Sequence, residues 1–259
     1  MPDDELFELR EARCHNPGAC INMKLKQILH GIAANAPLAA RYYWSARDRI
    51  TELRSAKTIF SRIYERRGWE DEESVSGPGS SLAQTAILRS KLPELLRIIH
   101  AKSLLDAPCG DFNWMKETAL PIDRYIGGDV VADLIRHHQD VFASETREFR
   151  RLDILRDNLP TVDVILCRDC LVHFSFRRIR MAVRNFKRSG STYLLATSFT
   201  AIPENRDIVT GGWRPLDFRL PPFNFPAPLD FIHESSFDPD VQKYGKVLAL
   251  WRLADLPEE

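Results

Sequence analysis

The chain has 259 residues, 44% of them hydrophobic and 28% charged, and its 36 basic residues cancel its 36 acidic ones. That composition fits one generous soluble domain, or a domain plus a helical extension, and excludes a strongly basic nucleic-acid footprint. No run approaches the roughly 18 apolar residues of a membrane span. The first residues lack a secretory pattern, and five cysteines without framework spacing favour a reducing, cytoplasmic setting.

Residues 1–22 are acidic, then polar, and read as a flexible tail; Cys14, His15 and Cys20 lack a fourth metal ligand. A helical extension is expected over 23–76. Apolar residues recur at helical spacing in Leu25, Ile28, Leu29 and Ile32, then in Ile50, Leu53, Ile59, Phe60 and Ile63, with Arg and Lys between them. Ser74-Val75-Ser76-Gly77-Pro78-Gly79-Ser80-Ser81 is the clearest linker, and the main domain is expected to span 77–259. Ser80 or Ser81 caps a helix through Leu88, and a second short helix from Pro93 to His100 leads to a strand at Ser103.

The organising stretch is Leu104-Leu105-Asp106-Ala107-Pro108-Cys109-Gly110-Asp111: a buried strand, a sharp Gly-bearing turn, then a helix expected through Trp114-Met115-Lys116-Glu117. A dinucleotide fold would want G-x-G-x-x-G here, and only Gly110 is present. Arg124 to Val131 read as a second strand carrying Asp129, an acid placed to accept ribose hydroxyls, with Gly127 and Gly128 clearing space for the sugar. Ala132 to Phe142 form a helix with Leu134, Ile135 and Val141 as its buried stripe; His137 and His138 read as surface residues. A third strand ends at Leu152-Asp153-Ile154-Leu155. Val162 to Cys167 form a β-branched central strand leading into Arg168-Asp169-Cys170-Leu171-Val172-His173. The following helix carries a basic face of Arg177, Arg178, Arg180, Arg184, Lys187 and Arg188, read as solvated. Thr192 to Phe199 supply a fifth strand, residues 200–230 form a Pro-rich aromatic insertion, and two short strands follow near Asp230–His233 and Lys246–Leu253.

The ordered set of Leu-Asp-Ala-Pro-Cys-Gly-Asp, Asp129, Asp153 and the apolar strand with Leu171-Val172-His173 resembles class I S-adenosylmethionine (SAM)-dependent methyltransferases over roughly residues 77–253. The resemblance implies an α/β fold with a seven-stranded, mostly parallel sheet flanked by helices and ending in an antiparallel hairpin. It implies SAM as cofactor, with Asp106, Pro108, Gly110, Asp129, Asp153 and Arg168 as cofactor-binding residues, Asp153 facing the adenine amino group. The Gly77–Gly79 loop is of the kind that closes over the cofactor. Phe112 departs from the pattern, standing where many relatives keep a further glycine.

The Asn/Asp-Pro-Pro-Tyr/Phe motif of enzymes that methylate base or amide nitrogens is missing after the fourth strand, where Cys167-Arg168-Asp169-Cys170 stands, and Leu220-Pro221-Pro222-Phe223 comes too late. The expected acceptor is therefore a hydroxyl of a small molecule or glycan, with Asp169 or His173 as base and aromatic residues 213–225 stacking on a sugar ring or another flat acceptor. Asp207 and His233 are alternative bases. A Cys₃His zinc set from Cys109, Cys167, Cys170 and His173 is conceivable, but small buried thiols and no metal are the preferred reading. Nucleic-acid and membrane partners are not expected. The rivals are a nicotinamide-dependent oxidoreductase and a non-catalytic SAM-fold protein that binds a partner through its basic helices.

Overall fold

Short apolar runs with β-branched residues dictate the strands, and amphipathic runs between them dictate the helices that cover both sheet faces. The computed structural model describes residues 51, 53–69, 71–234 and 239–258. The expected tail over 1–22 and the helical pattern over 23–50 lie outside the described residues. Arg54–Glu259 form one compact unit. Its strands are β1 (Ser103–Asp106), β2 (Arg124–Asp129), β3 (Arg147–Arg151), β4 (Val164–Cys167), β5 (Tyr193–Phe199), β6 (Asp230–His233) and β7 (Lys246–Arg252). They make one sheet of order β3-β2-β1-β4-β5-β7-β6. β1 to β5 pair in parallel, while β7 runs antiparallel to both of its neighbours, β5 and β6. This is the sheet of the class I methyltransferase fold. Strand order reverses between β1 and β4, where Asp106 pairs with Leu166, and open α/β sheets bind ligands in the crevice at such a reversal.

Among the described residues the helices are α1 (Ala56–Glu65), α2 (Ala86–Ile98), α3 (Ala132–Val141), α4 (Phe176–Arg188) and the single turn α5 (Pro239–Gln242). None is long and apolar enough to cross a membrane. Two expected helices, broken at Pro93, are one: Pro93 is buried inside α2 between Leu92 and Leu95, and burying that face offsets the lost N–H. The helix expected after the Gly110 turn is only a 3₁₀ turn, Met115–Glu117. β3 stops at Arg151, so Asp153 follows the strand rather than closing it.

Three burial expectations fail. Val141 is exposed. His138 is buried. On the basic helix α4, Arg178 is buried and donates to the Arg54 carbonyl. The aromatic insertion also differs from expectation: Phe218, Phe223 and Phe225 are core residues packed with one another and with Trp251.

Candidate functional site

A cavity of about 510 Å³ opens at the carboxyl ends of β1, β2 and β4. All eight site residues expected from the sequence line it: Asp106, Pro108, Gly110, Asp129, Asp153, Arg168, Asp169 and His173. Asp207 and His233 do not. Asp207 accepts from the Phe176 N–H at the start of α4, and His233 lies against Phe231 on β6.

At the β1–β2 end the cavity is acidic. Asp106 accepts the Tyr125 hydroxyl at 2.7 Å, and burial raises its carboxyl to about 7 despite that bond. Asp129 accepts from the Val131 and Gly110 N–H groups at 2.9 and 3.2 Å, and burial raises it to about 6. Asp153 accepts from the Leu155 N–H at 2.9 Å. The turn's amides are already engaged: Cys109 N–H donates to the Gly128 carbonyl, Gly110 to Asp129, Asp111 to Ser76 Oγ and Phe112 to the Cys109 carbonyl. No cradle of open amides, which a pyrophosphate would need, is left.

Gly110 has φ +54, and a Cβ there would lie 2.3 Å from Ser76 Oγ. The residue therefore makes room for the preceding loop as well as for a ligand. Gly127 and Gly128 do not clear space for a sugar. A Cβ at Gly127 would strike the Phe149 ring at 2.5 Å, and one at Gly128 would meet Leu152 at 3.3 Å, so both glycines serve packing. Phe112 adopts φ +60 with its ring buried beneath the turn against Tyr125, Phe142 and Phe149. Below it, His138 Nε2 donates to the Gly110 carbonyl at 2.8 Å.

The linker 73–81 is a strap rather than a free hinge. The Asp111 carboxylate accepts from Ser74 Oγ, Val75 N–H and Ser76 Oγ at 2.8, 2.9 and 3.2 Å, while Asn113 Nδ2 donates to Glu73 and to the Ser80 carbonyl. Arg168 donates to the Gly79 carbonyl at 2.8 Å and to Glu234 at 2.6 Å, tying the same strap to the ends of β4 and β6.

Beyond Arg168 lies a compensated charge cluster. Asp169, at φ +48, pairs with Lys246 at 2.7 Å and Arg168 at 3.3 Å, and Lys246 also approaches Glu234 at 3.3 Å. Burial alone would raise the Asp169 carboxyl, but Lys246 and Arg168 outweigh it and hold the group well below the usual carboxylate range. His173 contacts the Gly212 carbonyl through Nδ1 at 2.7 Å, so Nδ1 carries the proton and Nε2 is the ring's acceptor. Burial lowers its pKa, partly offset by that carbonyl and by Asp169, and the ring is neutral near pH 7.

Trp69 lies against His173 at 4.6 Å between centroids, and Phe60, Tyr64, Phe174, Phe199 and Trp213 complete this side of the cavity. Lys246, Glu234 and Trp69 were not expected at the site from the sequence. No short-range pattern links them to β4, although the placement of β7 beside β5 brings Lys246 there. Cys109, Cys167 and Cys170 are free and buried.

No protein-family model matches the sequence, and no curated protein matches it either. Solved structures do. The N-methyltransferase NodS from Bradyrhizobium japonicum, in complex with S-adenosyl-L-homocysteine, is 17% identical over 74% of this chain and 96% of its own, with a TM-score of 0.51. Magnesium protoporphyrin IX methyltransferase from Synechocystis, with bound SAM, is 12% identical over 77% of this chain and 97% of its own, at a TM-score of 0.50. The 1,6-didemethyltoxoflavin-N1-methyltransferase from Burkholderia thailandensis is 16% identical over 76% of this chain and 86% of its own, also at 0.50. At these identities the likeness is one of fold.

Proposed function

We propose that the chain is a SAM-dependent methyltransferase acting on a hydroxyl oxygen of a small-molecule acceptor. The observation that carries this reading is the acidic end of the cavity. Asp106 and Asp129 face it within a class I methyltransferase sheet, while the amides of the turn are already engaged. Such a site suits a cation bearing sugar hydroxyls and suits a nicotinamide dinucleotide poorly.

Asp129 would accept the ribose hydroxyls, exchanging its bond from Gly110 for theirs. Asp106 would face the methionine ammonium, and Asp153 the adenine amino group. Arg168, committed to Glu234 and the Gly79 carbonyl, would act by holding the strap over the bound molecule. When bound, SAM supplies a methyl group on a positively charged sulfur: the acceptor oxygen forms the new C–O bond as the C–S electron pair returns to sulfur. The protein's share is alignment, exclusion of water and removal of the hydroxyl proton.

Of the two base candidates we assign the proton to His173 Nε2. Its ring is neutral, and Nδ1–H is oriented by a backbone carbonyl. Asp169 is a weaker base because two cations stabilise its ionised form; its role is to hold Lys246 and Arg168 in place.

Calorimetry tests the cofactor assignment. SAM should bind the full chain and NAD should not, and Asp129→Ala should cost on the order of 1.5–3 kcal/mol of SAM affinity. Binding of NAD in preference to SAM, or unchanged SAM affinity in a folded Asp129→Ala protein, would overturn it. Turnover to S-adenosylhomocysteine separates an enzyme from a non-catalytic SAM binder. His173→Gln should lower kcat by about 10²-fold with SAM affinity nearly unchanged.

A further inference from the structure

We infer that the acceptor is an uncharged planar aromatic ring carrying an ionisable hydroxyl, rather than a sugar or an anionic metabolite; this rests on the methyltransferase reading above. The half of the cavity beyond Asp169 is built from rings. Phe60 and Phe174 lie 5.3 Å apart between centroids, Trp69 lies 4.6 Å from His173, and Phe199 meets Trp213 edge-on at 6.1 Å. These rings come from α1, the segment between α1 and the strap, the turn after β4, β5 and the insertion, so five separate segments converge on one aromatic chamber.

Trp213 is 44% exposed although it lines the cavity. A large ring left half in water at a cavity mouth is a surface that a flat ligand can cover.

The polar groups of this half discriminate further. A sugar needs several uncommitted donors and acceptors arranged around its ring, because each buried hydroxyl left unpaired costs binding. Here Lys246 is engaged by Asp169 and Glu234, Arg168 by Glu234, Asp169 and the Gly79 carbonyl, and Asp169 also by Thr197 Oγ. Two cations thus face two carboxylates, and no net charge is offered to a carboxylate or phosphate on the acceptor. His173, which lines this half, keeps Nε2 as an acceptor for one hydroxyl.

An aryl hydroxyl also suits a base of this strength. Its ordinary pKa, near that of tyrosine at about 10, lies within reach of an imidazole, whereas an aliphatic alcohol lies much higher. The proton leaves oxygen for Nε2 and passes from there to solvent. The oxygen lone pair makes the C–O bond, and sulfur keeps the electrons of the broken C–S bond.

Calorimetry and tryptophan fluorescence on the full chain test this. The probes are 2-naphthol and 7-hydroxycoumarin against methyl α-glucoside, each titrated with and without S-adenosylhomocysteine. The hydroxyarenes should bind below about 1 mM and quench tryptophan emission, and the glucoside should not bind in that range. Trp213→Ala should weaken hydroxyarene binding at least about tenfold, Trp213→Phe should restore most of it, and both variants should keep their S-adenosylhomocysteine affinity.

Failure of both hydroxyarenes to bind a chain that does bind S-adenosylhomocysteine overturns the inference and leaves the cofactor reading intact. Glucoside binding as tight as theirs, or hydroxyarene binding indifferent to Trp213→Ala, overturns it too. A chain that binds hydroxyarenes but never S-adenosylhomocysteine sinks the methyltransferase reading instead.

Discussion

Phe112 joins a backbone suited to glycine to a side chain suited to a core. At φ +60 an L-residue pays roughly 1–2 kcal/mol, and the 2% exposed ring recovers more than that by packing with Tyr125, Phe142 and Phe149. Phe112→Gly should therefore relax the turn and still lose on the order of 2 kcal/mol, because emptying a buried phenylalanine site costs about 3–5. Denaturant unfolding with an unchanged slope checks this, and a stabilised variant would mean the strain outweighs the packing. In the sequence this residue is visible only as a missing glycine. Burial and left-handed backbone are both tertiary facts, and the same holds for His138. Adjacent histidines on a helix do not say which of them faces in, and the Gly110 carbonyl that receives His138 lies 28 residues away.

At the scale of elements, the strands and the corner were legible because β1 and β4 are apolar runs closed by turn chemistry and β2 ends on paired glycines and an acid, and all eight expected site residues meet in one cavity. The strap was not. Its Ser-Val-Ser-Gly-Pro-Gly composition reads as a linker, whereas its anchor, Asp111, lies 35–37 residues further on. Asp111→Ala would leave the Val75 N–H and two serine hydroxyls without their carboxylate. The expected result is faster proteolytic cleavage within 72–80 and SAM affinity at least about fivefold weaker, with global unfolding shifted little. Unchanged proteolysis would show that Asn113 and Arg168 suffice to hold the strap.

For the molecule as a whole, a net charge of zero conceals a separation: carboxylates at the β1–β2 end of the cavity, and compensated ion pairs at the β4–β7 end. Burial raises Asp106 to about 7 and Asp129 to about 6, above the unfolded value near 3.8, so the folded state takes up protons there. Their contribution to stability is full below about pH 4 and is lost as pH rises through 6 to 7. A cationic ligand responds in the opposite sense, because it prefers the ionised acids. SAM affinity should therefore increase from pH 5.5 to 8 by at least about tenfold, with protons released on binding below pH 7. Calorimetry in buffers of different ionisation enthalpy measures both effects, and a flat profile would detach these acids from the cofactor.

The placement of β7 between β5 and β6 also sets an order of events in time. Glu234 on the β6 side cannot reach Arg168, nor Asp169 its lysine, until Lys246 and the strand it begins have been made and inserted beside β5. During synthesis the β1-to-β5 half can pair strand by strand, whereas the cavity's ion pairs wait for contacts spanning 66 to 77 residues. A ribosome stalled just before residue 246 would thus hold a chain in which β5 and β6 lack the strand that joins them and Asp169 lacks its lysine.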